Sequence, residues 1–213
     1  MCNLYRLKVG TAEIADLFRA TEWAAGSNAP EQIYPGYPGL VVRSEGEGRA
    51  VEAMTWGFPL VLADARKRAQ AAGKVAKPRP VNNARDDKLR TGMWRYWFET
   101  PAQRCLIPFT DFAEAVGEKG KMTRTWFRVT DQDVPARAGL WRPTDEWGRS
   151  YTGVMVDATP EYFDIHDRMP VILPAAAHDT WLRAGADEAE ALVKAYPADH
   201  LAIEHTTDLW AQR

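Results

Sequence analysis

Cysteine is scarce in this chain: Cys2 and Cys105 are the only two in 213 residues. That excludes a disulfide-stapled framework and fits a reducing, cytoplasmic setting. Neither cysteine belongs to a Cys-x-x-Cys pair or has a histidine beside it, so no structural zinc, other metal or cofactor is expected. No run of 18 apolar residues occurs, which argues against a membrane-spanning helix. "LKVGTAEIADLFRATEW", near the start, is too polar for a signal sequence. There is no internal repeat and no linker long enough to split the chain, so one domain over residues 1–213 is expected. No His-Glu-x-x-His helix and no Ser/His/Asp set is evident, which makes a peptidase acting on other proteins the weakest enzymatic reading. What is present is 46% hydrophobic and 26% charged residues, enough to build an ordinary core.

Negative charge is in slight excess overall, at −2, but its distribution is uneven. From Arg66 to Arg95 there are ten Lys or Arg residues against Asp86 and Asp87. That segment is therefore +8 and the rest of the chain −10. A concentrated basic stretch on an acidic protein marks a candidate polyanion site, led by Arg66, Lys67 and Arg68. A solvated basic loop fits the same composition equally well.

The hydrophobic pattern alternates more than it winds. Ile14, Leu17 and Phe18 predict a helix from about Thr11 to Ala24, with Thr11 as its cap. "SNAPEQIYPGYPG" predicts an extended loop. "GLVVRS", "AVEAMTWGF", "RCLIPF", "TWFRVT", "AGLWRP", "YTGVMVDA" and "MPVILP" read as strands, with "SEGEG", "GEKGK" and "DEWG" as turns between several of them. Helices follow at "AAAHDTWLRAG" and "DEAEALVKAY", then a last strand at "LAIEHTT". The fold class read from this order is α+β: a β-rich, barrel-like core of mostly antiparallel strands with peripheral helices. Between Phe58 and Trp94 the pattern predicts a long irregular connection carrying the positive charge.

Four polar features fit such a core poorly. Cys2 directly follows Met1; were Met1 removed, it would carry an α-amine and a thiol on adjacent carbons. In "VNNARDD", Asn83 and Arg85 are two apart and share a face of an extended chain, where an amide and a guanidinium can address one ligand. A turn with a surface arginine explains that motif as well. Glu114 lies in the strand-like "PFTDFAEAV", where burial would raise its pKa toward neutrality, unless it faces water; Asp111 is the competing acid. His166, in "DIHDRMPVILP", stands among Asp164, Asp167 and Arg168 ahead of an apolar run. That suits a proton shuttle or a plain surface loop. His178, His200 and His205 have weaker contexts. Trp56, Trp94 and Trp97 could stack nucleobases or fill the core, and Trp56 reads as core.

Taken together, these features resemble the SOS-response-associated peptidase family. The resemblance rests on Met1-Cys2, "TWGF" at Thr55 to Phe58, "NAR" at Asn83 to Arg85, "RCLIPFTDFAEA" with Glu114, and "HDRMP" from His166 to Pro170. It covers nearly the whole chain in the right order. Ala113 and Ala115 stand where the family has aromatics beside the glutamate, and Asn3-Leu4 where it often has Gly-Arg. The resemblance implies a barrel-like fold with a basic groove and a mature N-terminal Cys2 exposed by autoproteolytic loss of Met1. It also implies covalent capture of abasic sites in single-stranded DNA, with lyase activity as a side reaction. Cys2, Asn83, Glu114 and His166 would be catalytic. Arg85, Arg66, Lys67, Arg68, Trp94 and Arg95 would hold DNA. A monomer is expected, with no membrane partner, found at the nucleoid when on DNA. Two alternatives stay open: an N-terminal-nucleophile amidohydrolase of the glutamine amidotransferase kind, and a DNA-binding module with no chemistry.

Overall fold

The computed structural model of the chain describes residues 2–23 and 29–210. The first eight strands are β1 (Leu4–Arg6), β2 (Glu22–Trp23), β3 (Gln32–Ile33), β4 (Pro38–Glu45), β5 (Gly48–Trp56), β6 (Phe58–Leu60), β7 (Arg79–Val81) and β8 (Asn83–Arg85). They are followed by β9 (Arg104–Pro108), β10 (Asp111–Val116), β11 (Thr123–Val129), β12 (Ala136–Thr144), β13 (Gly148–Asp157), β14 (Arg168–Pro170), β15 (Ile172–Leu173) and β16 (Leu201–Leu209). The α-helices are short: α1 (Thr11–Leu17), α2 (Ala63–Ala71), α3 (Arg95–Glu99), α4 (Pro160–Phe163), α5 (His178–Arg183) and α6 (Ala186–Glu190).

Five strands close on themselves. β5 pairs with β4, β4 with β9, β9 with β12 and β12 with β13, all antiparallel. A short parallel contact, Ser150 to Thr55 and Tyr151 to Trp56, returns β13 to β5. Closure removes the open edges that a sheet of this size would otherwise expose. The turns that build the ring are legible. Glu45 pairs with Gly48, leaving Gly46-Glu47 as a two-residue hairpin loop, with Gly46 at φ 51°. Thr144 pairs with Gly148 across a three-residue loop, with Gly148 at φ 68°; both turns need a residue that tolerates left-handed backbone. A second sheet, in the order β16-β11-β10-β1-β3, packs against the ring. One large buried cluster runs through both, from Cys2 to Tyr196.

The strands expected from the sequence all form, and "MPVILP" divides between β14 and β15. Five expectations need correction. Gly10, not Thr11, takes the N-cap position of α1, and the last expected helix stops at Glu190 instead of running through "ALVKAY". The first helix stops at Leu17; Arg19 then takes a left-handed φ of 53° and Glu22–Trp23 becomes β2, paired parallel with β5. Ala24, where that helix was expected to end, lies outside the described residues, as do Ser27 and Asn28 of the proline-rich loop. In that loop Gln32–Ile33 forms β3 on β1, rather than staying purely irregular. The stretch after Phe58 is not irregular either: β6 and β7 pair, with α2 between them. α2 buries nothing, so it has no apolar stripe to betray it. Its Ala, Arg, Lys and Gln residues are simply good helix formers.

Candidate active site

Cys2 enters the structure just ahead of β1 and is fully buried. Its carbonyl accepts hydrogen bonds from two side-chain amides, Asn83 Nδ2 at 2.9 Å and Asn82 Nδ2 at 3.1 Å. Asn83 opens β8, which lies parallel to β13 with Asn83 opposite Gly153, and Asn82 directly precedes it. Asn82 also bonds the Asn3 side chain at 2.9 Å. The start of the chain is thus tied down by a strand some 80 residues later.

On the sulfur side, Cys2 Sγ reaches the Leu4 carbonyl at 3.7 Å and accepts from Arg137 Nη1 at 3.6 Å. Burial pushes the thiol up to about 11; Arg137 pulls it down and Glu114 pushes it further up. At neutral pH the thiol therefore keeps its proton.

Glu114 comes from β10. Alternation puts Phe112 and Glu114 on one face and Asp111 and Ala113 on the other. Phe112 packs on Phe109, Phe127 and Tyr162, so its face is the inner one. Ala113 instead meets Leu4 and Trp126 in a separate small cluster, and Asp111 pairs with Arg6 and Lys8. That makes Asp111 structural and removes it as a rival acid. Glu114 is 2% exposed, and burial raises its carboxyl from 4.5 to about 7. The positive charge at the amino terminus, Arg137 and the Tyr162 hydroxyl all act to lower it. A carboxyl balanced near neutrality can both give and take a proton.

His166 follows α4 by one turn: its amide bonds the Tyr162 carbonyl at 3.1 Å. Tyr162 is buried, and both Glu114 and Cys2 add to the effect of burial in raising its hydroxyl pKa, which puts His166 on the segment that walls this site. Burial lowers the imidazole pKa, with the amino-terminal charge acting the same way. His166 Nδ1 lies 2.9 Å from both the Arg168 amide and an Asp167 oxygen. One nitrogen cannot accept from an amide and donate to a carboxylate at once. The lowered pKa favours the neutral ring, with Nδ1 accepting from Arg168 and the proton on Nε2. Arg168 itself pairs with Asp86 at 2.5 Å and Asp157 at 3.0 Å, so "HDRMP" is strapped to the turn that follows "NAR".

The sequence reading missed Asn82, Arg137, Tyr162 and the floor of the site. Asn82 is the immediate neighbour of Asn83. Tyr162 stands four before His166, one helical turn. Arg137 sits in an apolar strand, "ARAGLW", and only its placement there could have flagged it. Below these lies an aromatic layer: Tyr5 and Tyr151 share a 2.5 Å hydroxyl contact, Trp56 packs on both, and Trp56 Nε1 donates to the Asn82 carbonyl. A methyl group on Gly39 would overlap both tyrosine hydroxyls.

The expected DNA-facing residues separate into three groups. Arg66, Lys67 and Arg68 lie on α2, which buries none of its residues. Arg85 is half exposed with its fork on Asp87, at 3.0 and 3.1 Å, and Arg95 bonds Glu99 at 3.1 Å. Trp94 is corrected: at 7% exposure, packed on Phe58, it belongs to the core and offers no free face to a base. Trp56 is core as expected, and Trp97 packs against Phe58 and Tyr96.

A cavity of about 1070 Å³ lies elsewhere, lined among others by Phe18, Arg49, Asp131, His178 and Arg183. It shares no residue with the Cys2 cluster and holds no cysteine or serine nucleophile. Its histidine is neutral, since burial takes His178 down to about 4.

Comparison with known proteins bears on the fold and the family. A crystal structure of a protein from Bordetella bronchiseptica is 28% identical, with a TM-score of 0.75 over 96% of this chain and 99% of that one. A protein from Bacteroides thetaiotaomicron has the same fold at 16% identity, with a TM-score of 0.74 over 96% and 91% of the two chains. Two curated relatives are named abasic site processing protein YoqW, from Bacillus subtilis (strain 168) and from Bacillus phage SPbeta. Each is 30% identical over 117 residues, 51% of this chain, and the match spans about half (52%) of the relative's length. The family described as SOS response associated peptidase (SRAP) matches residues 1–209, almost end to end, and the chain belongs to it.

Proposed function

We propose that this protein recognises abasic sites in single-stranded DNA and captures them covalently on Cys2. Met1 is first removed by self-cleavage in the same pocket, which frees the Cys2 α-amine. The amine, with a pKa near 8, is partly neutral at cell pH and attacks the ring-opened sugar aldehyde. Loss of water gives an imine, and addition of the neighbouring thiol closes a five-membered thiazolidine. A lysine could reach only the imine; the adjacent sulfur makes the adduct durable.

The residues divide this work. Glu114, near half-protonation at neutral pH, donates the proton that takes water from the carbinolamine and accepts one from the thiol. His166, neutral with its proton on Nε2, assists opening of the sugar ring. Asn83 fixes the Cys2 backbone through its carbonyl, holding amine and thiol to one approach. Arg85 exchanges Asp87 for a flanking phosphate, and α2 with Arg66, Lys67 and Arg68 supplies long-range attraction to the strand. An imine that does not close can eliminate the 3′ phosphate, which is the lyase side reaction.

The observation that carries this reading is the meeting of Cys2, Asn83 and Glu114, from three distant parts of the chain, in one buried cluster. The test mixes processed protein with a single-stranded oligonucleotide carrying one abasic site. A denaturation-resistant band that Cys2→Ala abolishes is expected; no band with verified Met1-free protein rejects the reading. Glutaminase activity on the same sample separates it from the amidohydrolase alternative.

A further inference from the structure

We infer that Arg137 governs the second bond of the capture reaction: it stabilises the Cys2 sulfur as that sulfur gives up its proton to close the ring. The inference rests on the capture reading above and deepens it by assigning one step to one residue.

Arg137 sits in β12 with no solvent exposure. Its hydrogen-bond acceptors among the described residues are Cys2 Sγ at 3.6 Å, Asn83 Oδ1 at 3.5 Å and Met155 Sδ at 3.7 Å. Two sulfurs and an amide oxygen are poor company for a buried guanidinium, which is costly to desolvate without an anion bonded to it. The fold nonetheless makes room for it. Gly153 on β13 faces it, and any Cβ there would overlap Nη2. The Trp56 ring lies 5.8 Å from the guanidinium carbon. A guanidinium keeps its charge at any working pH, so a fixed cation waits beside a thiol that is protonated at rest. Such a group does little for a neutral thiol and much for a sulfur that is losing its proton.

The step balances. The C–S bond forms, the C=N π pair moves onto nitrogen, and the thiol proton passes through the Glu114 carboxylate to that nitrogen. Amine attack, the earlier step, develops no charge on sulfur and does not need Arg137. The same guanidinium also fixes the Asn83 amide. By donating to Oδ1 it leaves Nδ2 for the Cys2 carbonyl, which keeps the sulfur within its reach.

The two steps can be timed separately. Borohydride traps the imine, while the thiazolidine survives denaturation without it. With Arg137→Met, imine formation should slow modestly, because Asn83 loses one of its partners, while conversion to the borohydride-independent adduct slows on the order of tenfold or more beyond that. Conversion at the unsubstituted rate, or equal slowing of both steps, would overturn the inference while leaving the capture reading intact. An unsubstituted protein that forms neither species would overturn both. If Arg137→Met does not fold, Arg137→Lys carries the test. It keeps a charge but loses the fork, so the pH profile of ring closure should move to higher pH, and an unmoved profile would contradict the assignment.

Discussion

Glu114 is the residue on which both the proposed proton transfer and a share of the pH-dependent stability depend. Its carboxyl binds a proton more tightly in the folded chain, at about 7, than at the ordinary 4.5. The folded state therefore carries the extra proton between those values. Its contribution is fully present below about 4.5 and is lost as pH rises through 7. The shift corresponds to roughly 3 kcal/mol. Chemical unfolding from pH 4.5 to 8 should show that decline in the unsubstituted protein and a much flatter profile in Glu114→Gln; parallel profiles would refute the assignment. Asn83→Ala removes a 2.9 Å bond to the Cys2 carbonyl and strands a donor of Arg137. It should cost about 1–3 kcal/mol and slow adduct formation, as urea titration and the gel assay would read. Locally, Asn83, Glu114 and His166 each fitted a bland reading as well, and only the family resemblance grouped them with Cys2; the structure buries Cys2, Asn83 and Glu114 together. Arg137 and Tyr162 were not legible, because what matters in them is which buried atoms they face across strands far apart in the chain.

At the level of elements, the strands read well because alternation and turn glycines are local signals. The ring closure did not, since the parallel contact between Thr55-Trp56 and Ser150-Tyr151 joins strands almost a hundred residues apart. The glycines of the ring interior carry information of the same hidden kind. A Cβ at Gly139 would come within 2.8 Å of Cys105 Sγ and Ile107 Cδ1. At Gly153, the residue it pairs with, a Cβ would strike Arg137. Gly153→Ala should therefore cost about 1–3 kcal/mol by overpacking, seen as a thermal midpoint lower by several degrees, and should slow adduct closure as Arg137 is displaced. Gly10→Ala, with nothing within 4 Å, should shift stability by less than about 0.5 kcal/mol. Equal midpoints for the two variants would contradict this picture of the ring. α2 was missed because it buries no residue and shows no apolar stripe, whereas α1 was found from its periodicity but stops at Leu17, just before Arg19 turns left-handed.

Over the whole molecule, the charge division seen in the sequence survives folding in part. Arg85, Arg90 and Arg95 are engaged by acidic neighbours, whereas the basic side chains of α2 ride on a helix with no buried face. Replacing Arg66, Lys67 and Arg68 by Gln should therefore leave the melting temperature unchanged. It should flatten the salt dependence of single-stranded DNA binding by about 0.7 in log–log slope for each phosphate that is no longer neutralised; an unchanged slope would move the DNA path away from α2. No helix among the described residues is long and apolar enough to cross a membrane. The central claim, however, concerns one pair of atoms. Peptide mass mapping of the adduct formed with an abasic single-stranded oligonucleotide tests it most directly. The account predicts a Met1-free terminal peptide whose Cys2 nitrogen and sulfur are both bonded to the sugar carbon, with the loss of one water. An adduct on a lysine, or a Cys2 thiol still open to alkylation in the purified adduct, would contradict it.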